Sequence, residues 1–521
     1  MKRSYSRLHK KSPKKEAKPQ PSSTHLRPVL ERNITYIKDE LGNSADLKIR
    51  RIQFNFIEPT DACLVFIESL IDTALLQELI DSLINHKQIS PNKTDDTKRN
   101  IITDLIQKTI TVGDVEEVID FDTLISNLLS GQAVVLIENE QHAISVNVPG
   151  NEKRSVEEPQ STTVIKGPHD GFTETISTNI SLVRQRIRSP KFRLESKNIG
   201  KVTKTKVMVA YIEGIVNDGV VKEVHRRLDA IDIDGIIESG YIEELIQDET
   251  FTPFPTIFST ERPDAVAGKL LEGRVAIFVD GTPFVMVVPS LIVEFFQASE
   301  DYYQRADVAT LLRCLRFLCF FIALLAPSVY IAVLTFHQEM LPTPLLISIA
   351  AQRDGIPFPA FLEALIMEVA FEILREAGVR MPRAVGQAMS IVGALVLGQA
   401  AVQAGIVSNA MVIVVSITAI ANFCLPAINL AASVRMIRFG IMSLAAVFGL
   451  PGIMFAIILL CIHLSSLRSF GVPYTTPAAP FILKDQKDVF FRVPIWAMIT
   501  RPKLISQKNI KRTRHHKKGG S

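Results

Sequence analysis

Charge is what this 521-residue chain lacks over its longest stretch. From Ala384 to Val434, 51 consecutive residues carry no acidic or basic side chain, and Arg383 and Arg435 close the run. A helix crosses a bilayer with about 20 apolar residues, so the run predicts two membrane spans with a turn in the Gln403 to Asn409 stretch. Cysteine is scarce as well. The five present (Cys63, Cys314, Cys319, Cys424, Cys461) form no CxxC pair, which argues against a disulfide framework or a thiolate zinc site. Residues 1 to 28 lack the apolar segment of a secretory signal, and the first three hundred residues are therefore expected to stay in the cytosol.

Two more uncharged runs, Phe317 to Phe336 and Phe439 to Ile462, are each long enough to cross. Pro327, Pro426 and the Gly449-Leu450-Pro451-Gly452 break interrupt three of the four expected spans; lipid-buried helices tolerate such breaks where neighbours satisfy the freed carbonyls. The net charge of +4 hides an asymmetry. Residues 1–28 carry +8 and residues 464–521 carry +10, leaving −14 between them. Basic tails of this kind are attracted to anionic headgroups or act as solubilising tails. They lack interleaved aromatics, so no nucleic-acid partner is expected.

The soluble half contains an internal echo. Leu128-Leu129-Ser130-Gly131-Gln132 leads into an apolar strand, a short turn at Asn139 to His142 and a second strand; Leu270-Leu271-Glu272-Gly273-Arg274 does the same around Asp280-Gly281. Each reads as a helix end, a C′ glycine and a β-hairpin. The fold class expected is an α/β cytosolic region of two related subdomains followed by an α-helical, multi-span transmembrane domain. Its divisions are a basic tail (1–28), subdomain 1 (29–149), a linker (150–167), subdomain 2 (168–300), the transmembrane domain (301–467) and a basic C-terminal tail (468–521). Helical stretches are expected at Ala74 to Asn85 and Val220 to Ile231, and a strand at Lys206 to Tyr211.

No enzyme motif is found and no cofactor is expected. Gly268-Lys269 fails as a phosphate loop, because Pro263 stands where the first glycine belongs and Leu270 where Ser or Thr would bind magnesium. His337 has no second ligand nearby, so no metal site is expected. More informative is Phe361 to Ala377, a helix that brings Glu363, Glu368 and Glu372 into the membrane half. Such carboxylates mark ion paths or buried pairs; the alternative is an interfacial helix with a solvated acidic stripe. The next span has two faces. Gly386, Gly393, Ala394 and Gly398 form a small-residue side suited to helix packing. Ile391, Leu395, Gln399 and Val402 lie opposite, where several copies around an axis would form an apolar constriction with a polar ring one turn on.

The segments Ser259 to Asp264 (STERPD), Gly273 to Ile277 (GRVAI), Phe336 to Pro342 (FHQEMLP), Pro357 to Pro359, Glu363 to Glu368 (EALIME), Leu374 to Gly378 and Gly398 to Ala401 resemble the A subunit of GerA-type nutrient germinant receptors of spore-forming bacteria. Lys166 to Pro168, Asn179 to Arg186 and Pro253 to Pro255 add to the resemblance, which spans roughly residues 115 to 475. It implies a multi-pass protein of the inner spore membrane with its N-terminal region in the spore core. A permease-like B subunit and a lipoprotein C subunit are the implied partners. It further implies an oligomer, a pentamer, that acts as a nutrient-gated cation channel among the membrane lipids, with Leu395 the gate candidate. The alternatives it leaves are a non-conducting scaffold that couples the permease-like partner to another channel, and a paralogue acting in dipicolinic acid release.

Overall fold

The computed structural model describes residues 25–55, 59–84, 113–150, 157–159, 164–380 and 398–512. Its contacts divide the chain into two units, residues 1–40 with 47–150, and residues 41–46 with 151–521.

The first unit runs α1 (Leu30–Leu41), β1 (Leu47–Asn55), β2 (Pro59–Ile67), α2 (Thr73–Ile84), β3 (Val115–Val118), α3 (Phe121–Leu129), β4 (Gln132–Ile137) and β5 (Ala143–Asn147). Its strands form one sheet in the order β1-β2-β4-β5-β3. The second unit opens with α4 (Ile176–Arg186), β6 (Phe192–Ile199), β7 (Thr205–Ile212), α5 (Asp218–Asp229), α6 (Ser239–Ile246), β8 (Phe258–Thr260), α7 (Pro263–Leu271), β9 (Val275–Val279) and β10 (Val285–Val288). The sheet order is again first, second, fourth, fifth, third: β6-β7-β9-β10-β8. All described pairings in both sheets are antiparallel. The strands β7, β9 and β10 read as unbroken apolar runs because both faces are covered. Ala210, Ala276, Phe278 and Val287 pack with α4 and α7, while Val207, Val209, Ile277 and Met286 pack with α5 and α6.

Local devices recur as well as strand order. Gly131 (φ +89°) and Gly273 (φ +96°) both end a helix, and a Cβ at either would come within 2.9 Å of a carbonyl oxygen, that of Leu70 or Ile215. Only glycine fits both demands. Three residues into α1 and α4, buried asparagines brace the chain that leads in. Asn33 donates to Arg27 O (2.7 Å) and accepts from Arg27 N (3.0 Å), and Asn179 donates to Thr173 O (2.6 Å) and accepts from Thr173 N (2.7 Å).

Beyond β10 the second unit is helical: α8 (Ala306–Phe336), α9 (Thr343–Arg353), α10 (Ala360–Arg380), α11 (Asn409–Phe423), α12 (Ile428–Phe448) and α13 (Leu450–Ser466). Among the described residues, α8 and α12 are long and apolar enough to cross a membrane, while α11 and α13 are shorter apolar helices. At a rise of 1.5 Å per residue, the 31 residues of α8 extend about 46 Å. The other long helices pack around it.

Three expectations are corrected here. The run Phe439 to Ile462 is not one helix, because the chain turns at Gly449 (φ +65°) and α13 folds back on α12. That approach needs Gly452, whose absent Cβ would sit 2.4 Å from Leu444 O. The second half of the uncharged run stops at Phe423 and restarts at Ile428, with Pro426 between; proline cannot continue the i→i−4 ladder. Arg435, which closes the uncharged run, and Arg438 therefore sit inside α12. Finally, the basic C-terminal segment is folded over residues 468–512. Ser469 Oγ accepts from Ser290 N (2.9 Å) and donates to Thr256 O (2.7 Å), and the buried Tyr474 hydroxyl donates to Pro255 O (2.8 Å).

Candidate functional site: buried charges among the apolar helices

Glu363 and Glu368 of α10 are buried, at 0% and 1% exposure, Glu372 is partly buried and Glu376 is exposed, so the acidic side of the helix is buried at its start and solvated at its end. Glu363, Glu368 and Glu372 each meet an arginine from another helix. Glu363 Oε1 lies 3.1 Å from Arg353 Nη2 of α9, and its Oε2 accepts from the Ser408 backbone N–H and hydroxyl, both at 3.0 Å. This caps α11 with a charge-assisted contact, since Ser408 is itself the N-cap that accepts from Met411 N. Glu368 Oε2 lies 3.0 Å from Arg438 Nη2. Glu372 Oε1 lies 3.1 Å from Arg435 Nε, and its Oε2 meets Arg375 at 3.1 Å. Arg435 and Arg438 are three residues apart on α12 and so share a face, which is why they meet Glu368 and Glu372, four apart on α10.

Buried charges are tolerable only when paired, and removal of one partner leaves an uncompensated ion. These pairs therefore lock α10 to α12, and α9 to the start of α11. Sequence reading found the acids but not their arginines. The signal was present in the i,i+3 spacing of Arg435 and Arg438, and was hidden because Arg435 read as the boundary of the uncharged run.

A second cluster anchors the foot of α8. Asp301, fully buried, receives Arg313 and both oxygens receive Arg316 Nη1 at 2.8 Å. Arg313 Nη1 reaches on to Asp488 Oδ1 (2.9 Å) and its backbone carbonyl (2.8 Å). The C-terminal segment is thus tied to the first long helix after the sheet. A third cluster sits beside β9: Glu294 takes Lys269 Nζ at 2.7 Å and pairs with Arg274, whose Nη1 donates to Pro289 O at 2.6 Å. Burial pushes the Lys269 ammonium below its usual range and the Glu272 carboxyl above its own.

Of the expected pore and packing residues, Gly386, Ile391, Gly393, Ala394 and Leu395 lie outside the described residues. Gly398, Gln399 and Val402 belong to the helix that precedes the turn before α11. Gly398 is buried, with Val412 of α11 3.5 Å from where its Cβ would be, whereas Gln399 is exposed and Val402 half-buried. Among the described residues no group of His, Cys, Asp or Glu is arranged to hold a metal ion.

The chain joins an antiparallel α/β region to apolar helices with internally paired charges, and among the described residues two of those helices, α8 and α12, are long and apolar enough to cross a membrane. The chain belongs to the Bacillus/Clostridium GerA spore germination protein family, whose model matches residues 35–504. It is 51% identical over 485 residues to spore germination protein KA of Bacillus subtilis (strain 168), covering 93% of this chain and 88% of that one. It is 40% identical to spore germination protein GerLA of Bacillus cereus, covering 91% of this chain and 95% of that one. The crystal structure of the N-terminal domain of the A subunit of the Bacillus megaterium spore germinant receptor GerK3 matches at 41% identity with a TM-score of 0.41, covering 51% of this chain and 97% of that chain. Membership gives the protein a role in spore germination.

Proposed function

We propose that this chain is the A-type subunit of a nutrient germinant receptor in the inner spore membrane, and that several copies, five on the family pattern, surround a cation path. It works with a permease-like B subunit and a lipoprotein C subunit. The helix that ends at Gln403 lines the path, with Ile391, Leu395, Gln399 and Val402 on the lining face and Leu395 as the gate.

The observation that carries this reading is the exposure of Gln399. Gly398 is buried against Val412 of α11 while the next residue, a polar amide, is exposed. At membrane depth a polar side chain facing lipid is costly, and such groups face a bundle interior or a water-filled cavity. The carboxylates of α10 are spent on arginines within the protomer, which leaves the uncharged helix to face the axis. The C-terminal segment returns to the sheet at Ser290 and Thr256. This favours an even number of crossings, with the α/β region and the C-terminal segment both on the cytosolic side.

The test is potassium flux in dormant spores carrying the receptor, wild type against Leu395→Ala. Nutrient-triggered efflux that becomes constitutive in the variant is the expected result. Unchanged flux in both, with the complex shown to be assembled, sinks the channel and leaves the non-conducting scaffold.

A further inference from the structure

The second unit contains a cavity of about 550 Å³ that none of the charge clusters occupies. Its walls come from the start of α6, from β8 and α7, from the 292–300 segment and from the connection between α11 and α12, and Phe258, Phe284 and Phe295 line it. The volume lies in the range of small-molecule sites.

The polar groups on the wall divide by whether they are already satisfied. Arg262 is held by Asp264 (3.1 and 2.8 Å) and donates to Pro168 O (3.1 Å). Glu238 accepts from Gly240 N (2.6 Å) and from the Thr282 hydroxyl (2.8 Å). Glu300 accepts from Ile165 N (2.6 Å). Glu243 is different: it is partly buried on the cavity wall, and among the described residues its carboxylate has neither a hydrogen-bond nor an ion-pair partner. Burial and the nearby Glu238 push its carboxyl up to about 7. Among the described residues the one arginine on the wall, Arg262, is already held by Asp264.

We propose that this cavity binds a small organic ammonium ion with an apolar body, its charge at Glu243 and its body against Phe258, Phe284 and Phe295. An unpaired carboxylate beside two satisfied ones favours a cation, and the aromatic side chains offer apolar surface to its body. An anionic ligand meets three carboxylates and an arginine already held by Asp264, which disfavours carboxylate or phosphate compounds. The far wall is the Phe423 to Asn429 connection. It adjoins Asn422, which, with its amide oxygen turned inward, accepts from Arg435 at 2.9 Å. The cavity therefore borders the segment that leads to the Glu372–Arg435 pair.

The test is equilibrium dialysis of 2-phenylethylammonium against the purified full chain in non-ionic detergent, with 2-phenylethanol as the neutral isostere. Saturable binding of the amine is expected, weakened at least about tenfold in Glu243→Gln and for the alcohol. It should be lost in Ala265→Phe, which fills the cavity from α7, and unchanged in Glu116→Gln of the first sheet. Equal uptake of amine and alcohol, no saturable binding, or binding that survives Ala265→Phe overturns the proposal. If Glu243→Gln fails to fold, the alcohol and the Ala265→Phe variant decide the question on their own.

Discussion

The two α/β copies share their strand order, their helix-ending glycines and their bracing asparagines, and differ in the residue placed directly after the glycine. In the first copy Gln132 accepts a hydrogen bond from Ser145 at 2.5 Å. In the second, the matching Arg274 is buried and paired with Glu294, which also takes Lys269. The repeated devices are those that fix backbone geometry, and any copy of this fold needs them. The charges belong to the copy whose last strand continues into the helices, where the chain must hold a direction as it leaves the sheet. The first set fixes the geometry of each sheet, and the second adds buried charge pairs where the chain leaves the second sheet.

Replacing Arg274 by the first copy's residue puts that division under the greatest strain. Arg274→Gln leaves Glu294 buried with Lys269 alone, and a broken buried ion pair costs about 3–5 kcal/mol. Gln132→Ala loses a single neutral hydrogen bond, about 1 kcal/mol. Thermal unfolding of the full chain in detergent should show the first variant far below the second. Similar midpoints would break the comparison.

The bracing asparagines should behave alike. Asn33→Ala and Asn179→Ala each strip the partners from one N–H and one C=O of the lead-in segment, and each is expected to cost about 2–4 kcal/mol. A cost confined to one copy would mean that only that copy's lead-in is structurally required.

These asparagines also show where sequence reading stopped. The duplication was legible from the hairpins, because Gly131 and Gly273 are followed by apolar runs with a turn signal, and each is a local pattern. The fold-back at Gly449 was legible only as a break, since uncharged residues continue on both sides and hydropathy does not distinguish a kinked span from a hairpin. Asn33 and Asn179 carry no periodic signal at all, for a buried amide that satisfies a peptide group six residues back is indistinguishable in sequence from a surface one. The same limit hid Arg435 and Arg438. An acidic residue at membrane depth is conspicuous, but its partner is set by helix packing some seventy residues on.

A decline of stability as pH rises from 4.5 towards neutral should appear in the second copy through α6, which has no counterpart among the described elements of the first. Glu243 has a folded-state pKa of about 7 against an ordinary value of 4.5. The folded state therefore keeps a proton that the unfolded state has lost, and stability falls as pH rises between those values. Glu243→Gln removes this slope. Unfolding midpoints recorded from pH 4.5 to pH 7.5 should decline less in the variant than in the wild type; parallel curves would mean that the carboxylate is solvated.

The smallest effect concerns the carboxylates that end the fourth strand of each sheet. Glu138 Oε2 accepts from the Leu30 N–H at 2.8 Å, and Asp280 Oδ1 accepts from the Ile176 N–H at 3.2 Å. Leu30 and Ile176 begin α1 and α4, so each copy uses a hairpin carboxylate to satisfy the first free N–H of its leading helix. Glu138→Gln and Asp280→Asn keep an acceptor oxygen and remove only the charge beside the helix dipole, which is worth about 0.3–1 kcal/mol at low ionic strength. The loss should shrink as salt is added, and the shorter Glu138 contact should give the larger one. A salt-independent loss would instead assign the effect to hydrogen-bond geometry, and the two copies would then differ in how tightly the hairpin is drawn onto the helix rather than in electrostatics.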